Sequence, residues 1–170
     1  IKNHIFQIPR LSPKKFLELT ESGIVSIEDV PASFPLTERQ TMMWESVRAQ
    51  SPTVRDELES ELEQIVWPAH YLDFESVMTA IPLYPDTPPY HQVPTQYSSH
   101  CCDSVGNVMA HAEFLCDHTK DSRFDLAQRL IEDLPGNGSI IVYSNFEKTI
   151  INALATAFPS LAPSLESLVG

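Results

Sequence analysis

Apolar residues keep helical spacing as far as Ile65 and strand spacing from Trp67 onward, and this change of period is the strongest constraint on the fold. In TVRDELESELEQIV, Val54, Leu58, Leu62 and Ile65 recur every three or four residues, which gives a helix one apolar stripe. From Ala69 the run AHYLDFES alternates instead, so successive side chains point to opposite faces of a strand. With 170 residues, the chain is expected to place a small all-helical segment, residues 1–66, ahead of an α/β domain, residues 67–170.

Local signals divide the helical segment into three. Ser12-Pro13 opens a first helix that Gly23 closes, and Thr37 with Gln40 resembles a capping box for a second. Ser51-Pro52 repeats the entry signal for the third. Beyond the first strand, the prolines of AIPLYPDTPPYHQVP mark a loop, since they cannot donate to a strand ladder. A turn at Val105-Gly106 then predicts a hairpin with Tyr97 opposite Phe114, His100 opposite His111 and Cys101 opposite Ala110. An amphipathic helix follows, with Phe124, Ala127, Leu130, Ile131 and Leu134 inward. SIIVY reads as a strand buried on both sides, and SNFEKTIINALATAF as a helix with Phe146, Ile150, Ile151, Leu154 and Ala155 on one stripe.

The net charge of −12 argues against a broad nucleic-acid surface, because affinity for phosphate backbones comes from Lys and Arg displacing counterions. Divalent metal recruits phosphate without a basic surface, so metal-dependent phosphate chemistry stays open. Three cysteines suit free thiols in a reducing cytoplasm better than a disulfide framework. No apolar run is long enough to cross a bilayer, so a soluble, cytoplasmic protein without a membrane partner is expected. A first residue Ile1 rather than Met fits a piece of a longer protein.

Asp73 and Glu75 flank Phe74 and share one face of the strand. Like charges held that close repel unless a cation or a shared proton offsets them. Ser144-x-x-Glu147 is open to two readings: a capping box, or a third carboxylate for such a cation. His100, Cys101, Cys102, His111, Cys116 and His118 form a second cluster, but the hairpin sends the His pair to one face and Cys101 and Cys116 to the other, which opposes tetrahedral zinc.

The order of an acidic strand, a hairpin, a helix, a parallel strand and a helix resembles the start of a ribonuclease-H-like domain. Within that superfamily, Asp73-Phe74-Glu75 is similar to the Asp-x-Glu motif of DEDD-type 3′–5′ exonucleases, and Ser144-Asn145-Phe146-Glu147-Lys148 to their second acidic motif, with Glu in place of Asp. YLDFES, AIPLYPDTPPYHQVPTQYSSH, HAEFL and VYSNFEKTIINALA resemble more closely the bacterial domain-of-unknown-function family 2779, over most of the chain. The resemblance implies an α/β fold with a ribonuclease-H-like mixed sheet, an antiparallel hairpin plus a parallel strand, and flanking helices. It further implies 3′–5′ exonuclease-like phosphodiester hydrolysis on single-stranded or frayed nucleic acid, often behind a RecB-like nuclease module of the same protein. Asp73, Glu75 and Glu147 would then be the catalytic ligands of Mg²⁺ or Mn²⁺, with Asn145 and Lys148 as candidate substrate contacts; Lys148 also reads as a solvated helix charge. The final acidic motif is expected beyond Gly170, so the domain is read as incomplete and weak or inactive. Glu in place of Asp and a shortened run before Phe146 point to an alternative: a catalytically degenerate module that binds nucleic acid or protein. A third option is a partner-binding domain led by the first 66 residues.

Overall fold

The computed structural model describes residues 2–134 and 136–170. Two compact units divide the chain, one ending at Glu61 and the next beginning at Leu62. The first contains α1 (Pro13–Glu21) and α2 (Glu38–Ala49), with short 3-10 turns at Ile5–Gln7 and Ile27–Asp29. Its caps follow from the sequence. Ser12 Oγ accepts from the Lys15 N–H at 3.3 Å, and Gly23 ends α1 at φ +75°. The Gln40 side chain accepts from the Thr37 N–H and donates to the Pro9 carbonyl, both at 3.0 Å, which satisfies a buried amide at both ends. Ile5, Ile8, Leu19, Ile27 and Val30 form the core of this unit.

The third helix departs from expectation. Only α3 (Leu58–Glu63) forms, it buries no residue, and Val54, Leu58 and Leu62 lie exposed. A helix this short is marginal without an apolar face to bury, so the periodic stripe alone does not extend it.

In the second unit β1 (Ala69–Met78), β2 (Gln92–Ser104), β3 (Asn107–Leu115) and β4 (Ser139–Ile141) make one sheet in the order β3-β2-β1-β4. β1 runs antiparallel to β2 and parallel to β4. The sheet is therefore mixed, and it is flanked by α4 (Arg123–Asp133), α5 (Phe146–Ala157) and α6 (Ala162–Ser167). In the hairpin Tyr97 pairs with Phe114, His100 with His111 and Cys101 with Ala110, the register that the Val105-Gly106 turn predicts. Leu72, Phe74 and Tyr97 from the sheet pack with Leu126 and Leu130 of α4, and Ile150, Ile151 and Leu154 of α5.

Two burial expectations are corrected. SIIVY is not buried on both sides: Ser139–Ile141 is half-buried, while Val142 and Tyr143 are exposed. Among the described residues β4 is an outer strand that pairs with β1 alone, so its far side has no sheet neighbour. On α4, Leu126 takes an inward position while Phe124 is exposed and meets Phe158 edge-on, with ring centroids 5.4 Å apart.

Two long-range ties position the elements around the sheet. The Ser139 N–H donates to the Val66 carbonyl at 2.8 Å and Ser139 Oγ accepts from the Val66 N–H at 2.9 Å, which fixes the parallel register of Ala69 with Ser139. The buried Arg123 guanidinium donates to Asp121 at 2.6 Å and to both oxygens of Asp86 at 2.9 and 3.1 Å, over the face of Tyr84. That fork pins the Pro-rich connection to the start of α4. Among the described residues no helix is long and apolar enough to cross a membrane.

Candidate functional site

Strand alternation builds one side of the site. Tyr71, Asp73 and Glu75 are exposed on one face of β1, and Leu72 and Phe74 are buried on the other. On the neighbouring strands, Asp73 pairs with Ser98 and Ser98 with Glu113, while Tyr71 pairs with His100 and His100 with His111. Ser98 Oγ and His111 Nε2 lie 3.0 Å apart.

The start of α5 supplies the other side. Glu147 falls in its first turn, but the Ser144-x-x-Glu147 capping box does not form. Ser144 Oγ accepts from the Phe146 N–H at 3.1 Å, and Asn145 occupies the N-cap position. The helix thus starts one residue later than a box centred on Ser144 requires, and Glu147 is too early in the first turn to reach back. Its side chain is instead 3% exposed, with Oε2 buried and without a hydrogen-bond partner. His70 Nε2, on the core face of β1, is also buried and unpartnered.

Asp73 and Glu147 line one open cleft of about 820 Å³, together with Tyr71, Ser98, His100 and Tyr143; Glu75 does not line it. An unpartnered buried carboxylate oxygen costs on the order of 1–3 kcal/mol or more, and a cation would offset that cost. Carboxylate oxygens are the donors that hard divalent ions take. Among the described residues, however, no three His, Cys, Asp or Glu side chains gather closely enough to hold a metal ion. The expected trio of Asp73, Glu75 and Glu147 around one cation is therefore not assembled. The lining offers, in Asp73 and Glu147, two carboxylates of the donor type that Mg²⁺ accepts while it keeps several waters. It does not fit a two-ion centre held by all three.

The candidate substrate contacts have local roles. Lys148 Nζ donates to the Val169 carbonyl at 2.7 Å, and the Asn145 carbonyl accepts from Thr149. The His100 and His111 rings stack at 4.4 Å with 27° between their planes, on the exposed face of the hairpin. Cys101, Cys102 and Cys116 are free, and burial pushes the Cys116 thiol up to about 11, with Asp121 and Asp125 adding to the shift.

Sequence reasoning missed the two tyrosines of the cleft. Tyr71 was accessible to it, because it lies two residues before Asp73 and so shares its face. Tyr143 carries no comparable signal, since it reads as the end of a buried strand. A family model described as a domain of unknown function (DUF2779) matches residues 70–170. No curated protein and no solved structure matches the chain.

Proposed function

The chain belongs to the DUF2779 family, and from the acidic lining of its cleft we propose a divalent-cation-dependent phosphodiesterase of the ribonuclease-H-like, DEDD exonuclease type. The observations that carry this reading are that Glu147 lines one cleft with Asp73 and that its Oε2 is buried without a hydrogen-bond partner. The β3-β2-β1-β4 order, with an acidic central strand parallel to β4, supports it. Asp73, on β1, and Glu147, in the first turn of α5, would hold Mg²⁺ or Mn²⁺. When bound, such an ion neutralises phosphate charge and lowers the pKa of its water. Glu75 is exposed two residues along the same face but does not line the cleft, so it is left without a role in holding the ion. With a net charge of −12, nucleic-acid binding is local to this cleft. The free thiols support a cytoplasmic setting.

The lack of a third gathered ligand among the described residues favours a second reading, a degenerate module that binds without cleaving. Calorimetric titration of Mn²⁺ into the 170-residue chain, followed by incubation with end-labelled single-stranded DNA and RNA, separates the two. One weak Mn²⁺ site lost in Asp73→Asn and Glu147→Gln, with at most weak cleavage that the same variants abolish, is the expected result. Metal binding without cleavage supports the degenerate module. Mn²⁺ binding indifferent to both substitutions overturns the phosphodiesterase reading.

A further inference from the structure

A row of rings crosses the open face of the sheet and ends in the cleft. Tyr71 on β1 pairs with His100 on β2, and His100 pairs with His111 on β3, so the three ring-bearing residues share one face of adjacent strands. His100 and His111 are already stacked at 4.4 Å. Tyr71 and His100 line the cleft, and so does Tyr143, whose 91% exposure means that packing within the fold does not account for it.

The charges around these rings decide what they can hold. Asp73, Glu75 and Glu113 are exposed on the same face, and the nearby Lys148 is tied to Val169. A phosphate backbone gains no counterion-release affinity here, so a ligand must be held through flat faces and hydrogen-bonding edges. Nucleobases have both, and Ser98 with His111 offers polar partners for their edges. We propose that Tyr71, His100, His111 and Tyr143 form a stacking platform for the unpaired bases of a single nucleic-acid strand, held by its bases rather than by its phosphates. The proposal deepens the nuclease reading and rests on it for the identity of the ligand class, but the platform operates without metal.

Fluorescence anisotropy of labelled ten-nucleotide oligo-dT and oligo-rU in EDTA, with the 170-residue chain, tests it. The base-bearing strands are expected to bind at least about tenfold more tightly than an abasic strand of equal length, and a plot of log affinity against log salt to have a slope shallower than about −1. Tyr143→Ala and His100→Ala should each weaken binding by about tenfold while Tyr143→Phe preserves it. Tyr143 is so exposed that its variants are expected to fold, which circular-dichroism melting checks. Asp73→Asn separates the two readings: it should lose Mn²⁺ and keep the base-bearing strand. Loss of the metal result alone counts against the nuclease. An abasic strand that binds equally well, no binding at all, or indifference to both alanine substitutions overturns the platform.

Discussion

Asp73 on β1 and Glu147 in the first turn of α5 line the same cleft, yet Asp73 is exposed whereas Glu147 is buried with one oxygen unpartnered. A buried carboxylate oxygen without a hydrogen-bond partner destabilises the fold, and such costs persist where a ligand offsets them. Glu147→Gln keeps the shape and removes the charge. In EDTA it should raise the unfolding free energy by roughly 1–3 kcal/mol in urea titrations, and the stabilisation of the wild type by Mn²⁺ should disappear. A loss of stability in EDTA would instead assign the carboxylate a structural partner.

Tyr97 is fully buried and donates to Asp133 Oδ2 at 2.6 Å, while Arg129 pairs with the same carboxylate at 3.1 Å. Burial, reinforced by Asp133, pushes the phenol well above its ordinary range, so the hydroxyl stays a donor. Tyr97→Phe removes one hydrogen bond to a charged acceptor and should cost about 1.5–3 kcal/mol of stability, read from denaturant midpoints at constant m-value.

Arg123 holds Asp86 and Asp121 below the ordinary carboxylate range, chiefly through its hydrogen bonds to them. A carboxyl depressed in the folded state contributes stability above its unfolded pKa and loses it as the pH falls through the folded value. Asp86 is largely in solvent, so Asp86→Asn should cost at most about 1 kcal/mol at pH 7. The gap in Tm from the wild type should close as the pH drops below about 4. A gap that stays constant between pH 7 and pH 2 would rule out the ion pair as its source.

Gly138 and Gly106 share a left-handed φ, +88° and +77°, but differ in surroundings. A Cβ at Gly138 would lie 1.7 Å from the Pro68 carbonyl oxygen, while one at Gly106 meets nothing within 4 Å. Gly106→Ala should therefore cost only the backbone strain, about 1–2 kcal/mol. Gly138→Ala adds a clash with backbone at the β1–β4 junction and should cost roughly 2–5 kcal/mol, with loss of amide-exchange protection at Ser139–Ile141. Equal costs would show that the close approach to Pro68 relaxes freely.

The hairpin was legible because chain geometry leaves few choices: period-two alternation about the Val105-Gly106 turn admits one register that places Tyr97 and Phe114 together on the core side. The same rule put Asp73 and Glu75 on one face, and helical spacing put Ile150, Ile151 and Leu154 in the core. Periodicity states which residues share a face but not what covers it. The stripe of Val54, Leu58 and Leu62 remained exposed, and SIIVY became a half-buried outer strand, for that reason. The fork from Arg123 to Asp86 spans 37 residues and was invisible to local pattern. The order of the elements and the faces of β1 were legible from residue order alone, because both follow from dihedral periodicity within a few residues. That Glu147 is buried and lines the same cleft as Asp73 follows from no local pattern, because burial depends on packing between residues remote in the chain.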